Sequence, residues 1–239
     1  MRNFDYQWKN LPDKNIEYND DRIKEFLNFT KLRSRDISGK YCLDVGCGSG
    51  RYTYAMMKLG AMRVDSFDIS EEGVKKCQEI NPTAYVFDIM NLKPNPIYDF
   101  VLSWGVLHHT ADPRKAFAKV VSQVKKQEGT LHVMLYHKNT QKPYEEGRKI
   151  WQSLSQEDRI KYCEDKAKSS GGTIHGWYDA FNPEYNFSFT EDEIKTWFGE
   201  ERFSKIKLTQ KYNINMQGKF EEGKGSFFKN IKTKLNKPK

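Results

Sequence analysis

Three glycines alternate along residues 44–50, DVGCGSG, directly after a short apolar run. The run, Tyr41–Val45, has the composition of a strand that is buried on both faces. Because glycine has no Cβ, the backbone of such a turn can approach a ligand closely, and Asp44 adds a carboxylate beside it. A strand, a glycine turn and a helix predict the first βα unit of a nucleotide-binding sheet. A tight turn that holds no ligand is the alternative.

Two further acids stand at the ends of predicted strands. Asp68 ends the strand predicted over Arg63–Asp68, 18 residues beyond Gly50. A carboxylate at this place can accept hydrogen bonds from both hydroxyls of a ribose. The alternative is that Asp68 caps the helix that follows it, but Ser70 suits the cap better. Asp88 stands in the same way at the end of the third predicted strand.

A pair of histidines follows the fourth predicted strand, in the stretch 98–109. Ser103 and Trp104 lie at the tip of that strand, where ligands bind in open α/β sheets. His108 and His109 begin the loop beyond it. Histidine is the side chain best suited to abstract a proton near neutral pH, and a purely structural role is the alternative.

The spacing D-x-G-x-G-x-G differs from the G-x-G-x-x-G of dinucleotide-binding folds. It resembles motif I of the class I S-adenosylmethionine-dependent methyltransferases, and Asp68 resembles their acidic motif II. The run LHHTADP at 107–113 resembles the branch of that family that acts on small molecules and sugars. Together these signals cover residues 36–137, so the chain is identified as a member of this family.

The resemblance implies a Rossmann-like α/β fold with a seven-stranded sheet of order 3-2-1-4-5-7-6. Strand 7 is antiparallel, helices cover both faces, and an insertion follows strand 5. The implied cofactor is S-adenosylmethionine, with Asp68 at its ribose, Asp88 at its adenine amino group and Ile89 on the ring face. The predicted cofactor-binding residues are Asp44, Gly46, Cys47, Gly48, Gly50, Asp68, Ile69, Asp88, Ile89, Ser103 and Trp104.

The expected reaction is methyl transfer to a hydroxyl or an amine of a small or carbohydrate-like acceptor. A sulfonium makes its methyl group electrophilic without help, so the enzyme mainly aligns the acceptor and accepts its proton. Adjacent residues cannot both face the cleft, and the family's motif more often turns the second histidine toward it. His109 is therefore the predicted base and His108 the second candidate.

We expect one methyltransferase domain over residues 1–217, followed by a basic tail over 218–239. Within the domain, residues 1–35 form an N-terminal cap. Residues 138–189 form an insertion that the minimal fold does not need. Because the core of such a fold holds the cofactor, we interpret this insertion as a lid that selects the acceptor.

Aromatic side chains mark both the cap and the lid. Phe4, Tyr6 and Trp8 alternate as they would on one side of an extended segment, which either packs on the domain or forms a flap over the cleft. Residues 171–187 combine aromatics with glycine, proline and polar residues, and we expect an irregular wall of the acceptor site. A small core within the insertion is the alternative. The predicted substrate-binding residues are Trp8, Tyr136, His175, Trp177, Tyr178, Asp179 and Tyr185.

The formal net charge is +8, and most of it belongs to the tail. Residues 218–239 carry seven lysines and two glutamates, with a weak amphipathic helix predicted over 226–235. The favoured partner is a small-molecule or sugar acceptor. An RNA acceptor held by the tail stays open, as does a protein that binds the cofactor without transferring its methyl group.

Composition excludes several other classes. The four cysteines form no C-x-x-C pair, so we expect reduced thiols, no zinc site and a cytoplasmic protein. No apolar run approaches the roughly 18–20 residues of a membrane span. The N-terminus also lacks the apolar core of a signal peptide.

Overall fold

The computed structural model describes residues 4–11 and 18–221, and a seven-stranded sheet lies at its centre. The strands are β1 (Tyr41–Val45), β2 (Arg63–Asp68), β3 (Tyr85–Val86), β4 (Phe100–Trp104), β5 (Thr130–Leu135), β6 (Lys205–Gln210) and β7 (Ile214–Lys219). They lie in the order β3-β2-β1-β4-β5-β7-β6, and β7 runs antiparallel to β5 and β6 whereas the other neighbouring pairs of this described sheet are parallel. The predicted Rossmann-like fold and strand order are confirmed.

The register of the parallel strands brings their carboxyl ends to one edge of the sheet. Val45 of β1 pairs with Phe67 of β2 on one side and with Ser103 of β4 on the other. Asp68 pairs in turn with Val86 of β3. The glycine turn, the acids and the histidine pair all follow these strand ends, so the sheet gathers them in one place.

Helices surround the sheet, and the insertion adds three more. They are α1 (Asp5–Asn10), α2 (Asp20–Thr30), α3 (Arg51–Lys58), α4 (Glu71–Cys77), α5 (Pro113–Val121), α6 (Lys138–Trp151), α7 (Gln156–Ser170), α8 (Ile174–Phe181) and α9 (Glu191–Glu200). Local sequence sets several of the starts. The Asp112 side chain accepts from the backbone of Lys115 at the start of α5. Thr190 and Glu193 form a capping box at the start of α9.

Two apolar cores cover the faces of the sheet, and a third lies in the insertion. Phe117 of α5 and Phe198 of α9 pack on one face, where their rings meet edge to face at 5.0 Å. Phe26 and Phe29 of α2 pack on the other face. The third core joins α6, α7 and α8 to Leu11 of the N-terminal segment. The insertion therefore has a core of its own.

The N-terminal segment is a helix, and the predicted extended conformation is wrong. In α1, the spacing of four residues puts Phe4 and Trp8 on the side that faces the cleft. Tyr6 points away and stacks on Tyr178 of α8. Asp5 anchors the helix to the start of α4, because it accepts a hydrogen bond from Ser70 Oγ at 2.6 Å. Tertiary contacts thus select a helix that alternation alone did not indicate.

The stretch 171–187 is also more regular than predicted, since it contains α8. Gly171 and Gly172 have positive φ and end α7. The Thr173 side chain then accepts from the backbone N–H of Gly176 and caps α8. The aromatic residues of this stretch therefore divide between two sides of a helix, and only some of them can face one site.

At the carboxyl end, β7 runs to Lys219, and Phe220 stacks on Phe203 with ring centroids 4.0 Å apart. The folded region thus extends past the predicted boundary at 217. The predicted helix over 226–235 lies outside the described residues. Within the ranges that the structure describes, no helix combines the length and the apolar character needed to cross a bilayer.

Candidate active site

A cavity of about 590 Å³ opens at the carboxyl edge of the sheet. The glycine turn and the ends of β2 and β3 form one wall, which we call the cofactor wall. Helices α1 and α8 and the loop after β4 form the other, which we call the acceptor wall. The predicted residues that line the cavity are Trp8, Asp44, Gly46, Cys47, Gly48, Asp68, Ile69, Asp88, Ile89, Trp104, His109, Tyr136, His175, Asp179 and Tyr185.

The glycine turn has the left-handed backbone that its sequence suggests. Gly46, Gly48 and Gly50 have φ of +75°, +51° and +88°. A Cβ on Gly46 would lie 2.2 Å from a methyl group of Val106, so no side chain fits there. Gly50 is different, because it does not line the cavity and a Cβ on it would meet Cys77 at 2.6 Å. Its small size serves packing between the turn and α4.

Asp44 is a buried carboxylate at the base of the cavity. Its Oδ2 accepts a hydrogen bond from Thr53 Oγ1 at 2.7 Å, and Thr53 lies 2.8 Å from Ser66 Oγ. Burial raises the pKa of Asp44 to about 6. A cationic group placed beside it would restore the charged form, so this position favours a ligand with an ammonium.

Asp68 connects the glycine turn to the end of β2. Its Oδ2 accepts from the Gly48 backbone N–H, and its Oδ1 accepts from the Ser70 N–H, both at 2.8 Å. Burial raises the pKa of Asp68 above its usual value. Ser70 caps α4 as predicted, by accepting from the Gly73 N–H at 3.1 Å. Asp68 therefore shapes the turn as well as lining the cavity, a role that the spacing did not reveal.

Asp88 and the two residues after it continue the same wall. The Asp88 Oδ1 accepts from the Met90 N–H at 2.8 Å and caps a short 3-10 turn over Ile89–Asn91. This turn ends β3 after Val86, earlier than predicted. It brings Ile89 and Met90 to the cavity, where they offer apolar surface beside the carboxylate.

His109 lines the same cavity as these acids. Its Nδ1 is 2.9 Å from the Tyr185 carbonyl oxygen, so the ring donates its Nδ1 proton there. Within the described part of the chain, the buried Nε2 has no hydrogen-bond partner. Burial lowers the pKa of His109, although the Asp179 charge opposes this. A neutral ring with an acceptor nitrogen at Nε2 is the form that a general base requires.

His108 does not reach the cavity, and so the structure opposes its assignment to the chemistry. The side chain is fully buried and stacks on Tyr136 with ring centroids 3.8 Å apart. Its pKa is held well below the usual value by burial. The rings of the two adjacent histidines meet edge to face with centroids 4.2 Å apart, but only His109 lines the cavity. His108 supports Tyr136 and His109 from behind.

The acceptor wall contains residues that the sequence did not single out. The Gln7 side chain donates to Asp179 Oδ1 at 3.0 Å and lies 3.4 Å from His175 Nε2. The Trp8 ring packs on the His175 ring at 4.6 Å. Gln7 is separated from Asp179 by 172 residues, so no local pattern could have joined them.

Besides Gly50 and His108, three further predicted site residues lie away from this cavity. Ser103 is fully buried, because its side chain points into a face of the sheet rather than past its end. Tyr178 is buried in the core of the insertion, where it meets Trp151 edge to face. Trp177 lines a separate, smaller cavity. Helix α8 explains the last two positions, because His175 and Asp179 share its inner side while Trp177 and Tyr178 turn away.

The chain is similar in sequence and fold to known methyltransferases. The model of a family described as a methyltransferase domain matches residues 15–207, most of the chain. The chain belongs to the class I S-adenosylmethionine-dependent methyltransferases. A putative S-adenosylmethionine-dependent methyltransferase from Listeria monocytogenes has a similar fold, with a TM-score of 0.54 at 16% identity over 85% of this chain and all of that one. Magnesium protoporphyrin IX methyltransferase from Synechocystis, with bound S-adenosylmethionine, gives 0.50 at 17% identity over 84% and 76%.

Curated relatives match a smaller part of the chain than these structures do. The tRNA U34 carboxymethyltransferase of Campylobacter hominis is 26% identical over 129 residues, which is 49% of this methyltransferase and 44% of the relative. The protein of the same name from Shewanella frigidimarina is 35% identical over 101 residues, 39% of this chain and 28% of the relative. The chain thus spans less than half the length of these relatives.

The cofactor wall fits the cofactor of this family. Side chains are absent where the turn must approach a ligand, Asp44 is buried at the base of the cavity, and Asp68 and Asp88 border it. Asp44 would face the ammonium of S-adenosylmethionine, Asp68 its ribose and Asp88 its adenine. The described residues include no cluster of acids, histidines and cysteines suited to a metal ion.

Proposed function

We propose that this methyltransferase transfers a methyl group to a hydroxyl or amine of a small or carbohydrate-like acceptor. The observation that carries the proposal is the position of His109, which lines the same cavity as the three acids of the cofactor wall. Its neutral ring and its unpartnered Nε2, as seen among the described residues, suit the removal of a proton from an incoming group.

S-adenosylmethionine, when bound, supplies a methyl group that is electrophilic because the sulfur is a sulfonium. The residues of the chain would then align the acceptor and take its proton. The Tyr185 carbonyl holds the Nδ1 proton of His109, which fixes the tautomer and leaves Nε2 to accept. The Asp179 carboxylate favours the imidazolium that forms when the proton arrives.

The acceptor wall supports a small or sugar-like acceptor. Tyr136, Tyr185 and His175 present rings to the cavity, and Asp179 and Gln7 present polar atoms. Rings with a few fixed polar groups are typical of sites that orient small molecules. Helix α1 closes this wall, because Phe4 packs against His109 with ring centroids 5.8 Å apart. Since Nε2 is covered in this arrangement, an acceptor that reaches it would require the residues around it to move.

A methyl-transfer screen tests the proposal. Donor with a radiolabelled methyl group would be incubated with sugar nucleotides, small phenols, amines and bulk RNA. We expect label in a small hydroxyl or amine compound, and loss of at least nine-tenths of the rate in His109→Ala. If donor binds tightly but no acceptor class is labelled, the protein is a non-catalytic cofactor-binding protein and the proposal fails.

A second candidate is an RNA acceptor, because curated relatives are named tRNA U34 carboxymethyltransferases. Deleting the chain after Glu221 tests it without cutting β7, which ends at Lys219. If the tail holds RNA, the deletion weakens binding and flattens its dependence on salt. If the acceptor is small, the truncated protein keeps its transfer rate.

A further inference from the structure

A second cavity of about 380 Å³ adjoins the first. Tyr136, Thr173 and Gly176 line both, so the two cavities are neighbours that share these residues as a common wall. The remaining walls come from α6, from the loop between α7 and α8 and from the turn between β6 and β7. This cavity therefore lies on the acceptor side of the molecule.

Besides the shared Tyr136, three aromatic side chains line the second cavity. Tyr144 and Trp177 pack with ring centroids 5.5 Å apart. The Trp177 indole is held in place because its Nε1 donates to the Gly171 carbonyl at 2.8 Å. Tyr212 is the third of these residues, and its ring is 72% exposed to solvent at the edge of the cavity. Such rings offer flat faces to a ligand ring.

The polar groups of this cavity carry no charge. Among the described residues, all that line it are uncharged. Thr140 Oγ1 donates to Asn213 Oδ1 at 2.9 Å, and the Gln141 side chain is held by Arg148. The hydroxyl and amide groups are thus fixed by neighbours, while a phosphate would meet no lysine or arginine in the lining. The first cavity differs, because acids and Arg51 line it.

We propose that the second cavity binds an uncharged sugar ring, the part of the acceptor that does not react. A pyranose has an apolar face of C–H groups and a rim of hydroxyls, which match the aromatic faces and the amide and hydroxyl groups. Its role as part of an acceptor rests on the proposed methyl transfer, whereas the binding of the ring itself does not. The acceptor's reacting group would extend past Tyr136 toward His109.

Ligand-observed NMR tests this binding without knowledge of the acceptor. The probes are methyl glycosides of common hexoses, uridine and uridine monophosphate, each added to the full chain. The variant is Tyr212→Ala, whose exposed ring can be removed with little effect on folding. The matched control is Tyr41→Ala, an exposed tyrosine at the start of β1 and outside both cavities.

We expect at least one methyl glycoside to give saturation transfer that falls about fivefold in Tyr212→Ala and is unchanged in Tyr41→Ala. Absence of any glycoside signal, or a signal indifferent to Tyr212, overturns the proposal. A preference for uridine or for its phosphate overturns it as well and points to a nucleotide ring. Binding of S-adenosylhomocysteine by calorimetry is the separate readout, since its loss would contradict the proposed function and leave glycoside binding unaffected.

Discussion

The two walls of the cavity are built in different ways. The cofactor wall takes its groups from strand ends and from the turns directly after them, as with Asp44, Asp68 and Asp88. The acceptor wall joins α1 to α8, and its contact between Gln7 and Asp179 spans 172 residues. One wall is therefore local in sequence and the other depends on the docking of distant helices.

The walls also differ in chemistry. The cofactor wall carries buried carboxylates and backbone N–H groups, so it recognises charge and hydrogen-bonding groups at fixed positions. The acceptor wall is mostly aromatic, with polar atoms that hold one another. The difference teaches that a ligand shared by a family can be held by strand ends, while an individual acceptor is selected by side chains on added helices.

The largest expected effect is on the turnover rate, and it comes from the replacement of His109 on the acceptor wall. His109→Ala should lower the turnover rate at least tenfold and up to about 10⁴-fold, because a positioned base contributes about that much. Affinity for S-adenosylhomocysteine should not change. The matched control is His137→Asn, since His137 does not line the cavity and asparagine can also cap α6. Loss of cofactor affinity or of folding would make His109 structural.

If His109 is the general base, the rate of turnover should fall toward low pH. Burial lowers the pKa of His109, so its ring is neutral above the usual value of 6.5. We expect the ionisation of His109 to leave the rate unchanged above pH 6.5. The rate should then fall as the pH drops through the lowered pKa of His109. The inflection should be missing in His109→Ala. An inflection above 6.5 that survives this substitution would assign it to another group.

A smaller effect is expected on the cofactor wall. Asp68→Asn should weaken cofactor binding about ten- to a hundredfold, because a charge-assisted hydrogen bond contributes roughly 1.5–3 kcal/mol. Calorimetry with S-adenosylhomocysteine measures it. Asp99→Asn is the control, since Asp99 binds the Tyr41 N–H and Lys125 at the opposite ends of the strands. Equal affinities for both variants would remove Asp68 from the cofactor site.

The pH dependence of stability tests two buried histidines, one behind the acceptor wall and one behind Trp104 at the end of β4. Burial holds the pKa of His108, behind the acceptor wall, well below its usual value. Burial also lowers the pKa of His132, which stacks on Trp104, to about 3. The unfolded chain binds these protons below about pH 6.5, so each contribution is present above that pH and is lost as pH falls toward the folded pKa. The slope is up to about 1.4 kcal/mol per pH unit for each histidine.

Denaturant titrations between pH 7 and pH 5 measure this slope. His108→Phe and His132→Phe should each remove one histidine's share, and the difference from the parent chain isolates it from the buried acids. A variant whose stability falls with pH as steeply as the parent would show that its histidine is protonated in the folded state.

The smallest expected effect tests where the walls touch. Gly48 and Gly39 both have positive φ, so alanine strains the backbone by about 1–2 kcal/mol at either place. A Cβ on Gly48 would come 2.5 Å from the Trp8 ring, whereas a Cβ on Gly39 would meet nothing within 4 Å. Gly48→Ala should therefore also weaken S-adenosylhomocysteine binding several-fold. Equal effects of the two variants on S-adenosylhomocysteine affinity would show that the Trp8 ring can move away from the added Cβ without a cost to binding.

The sequence by itself determined the sheet and the cofactor wall. The apolar run of β1 and the glycine turn after it are local signals, and a parallel sheet necessarily brings strand ends together. The cap of α4 by Ser70 and the capping box of α9 were also readable, because a cap depends on residues only three positions apart. Asp68 and Asp88 could be placed at the cavity for this reason.

Only the tertiary structure decided the acceptor wall. The helix α1 is short and has no side-chain cap, so its conformation depends on contacts with α4 and α8. Docking through Tyr6 and Gln7 turns Phe4 and Trp8 to the cavity. In α8, the helical period sends His175 and Asp179 to one side and Tyr178 into a core. Which aromatic faces a ligand is settled by packing between distant segments, and a local pattern contains no record of that packing.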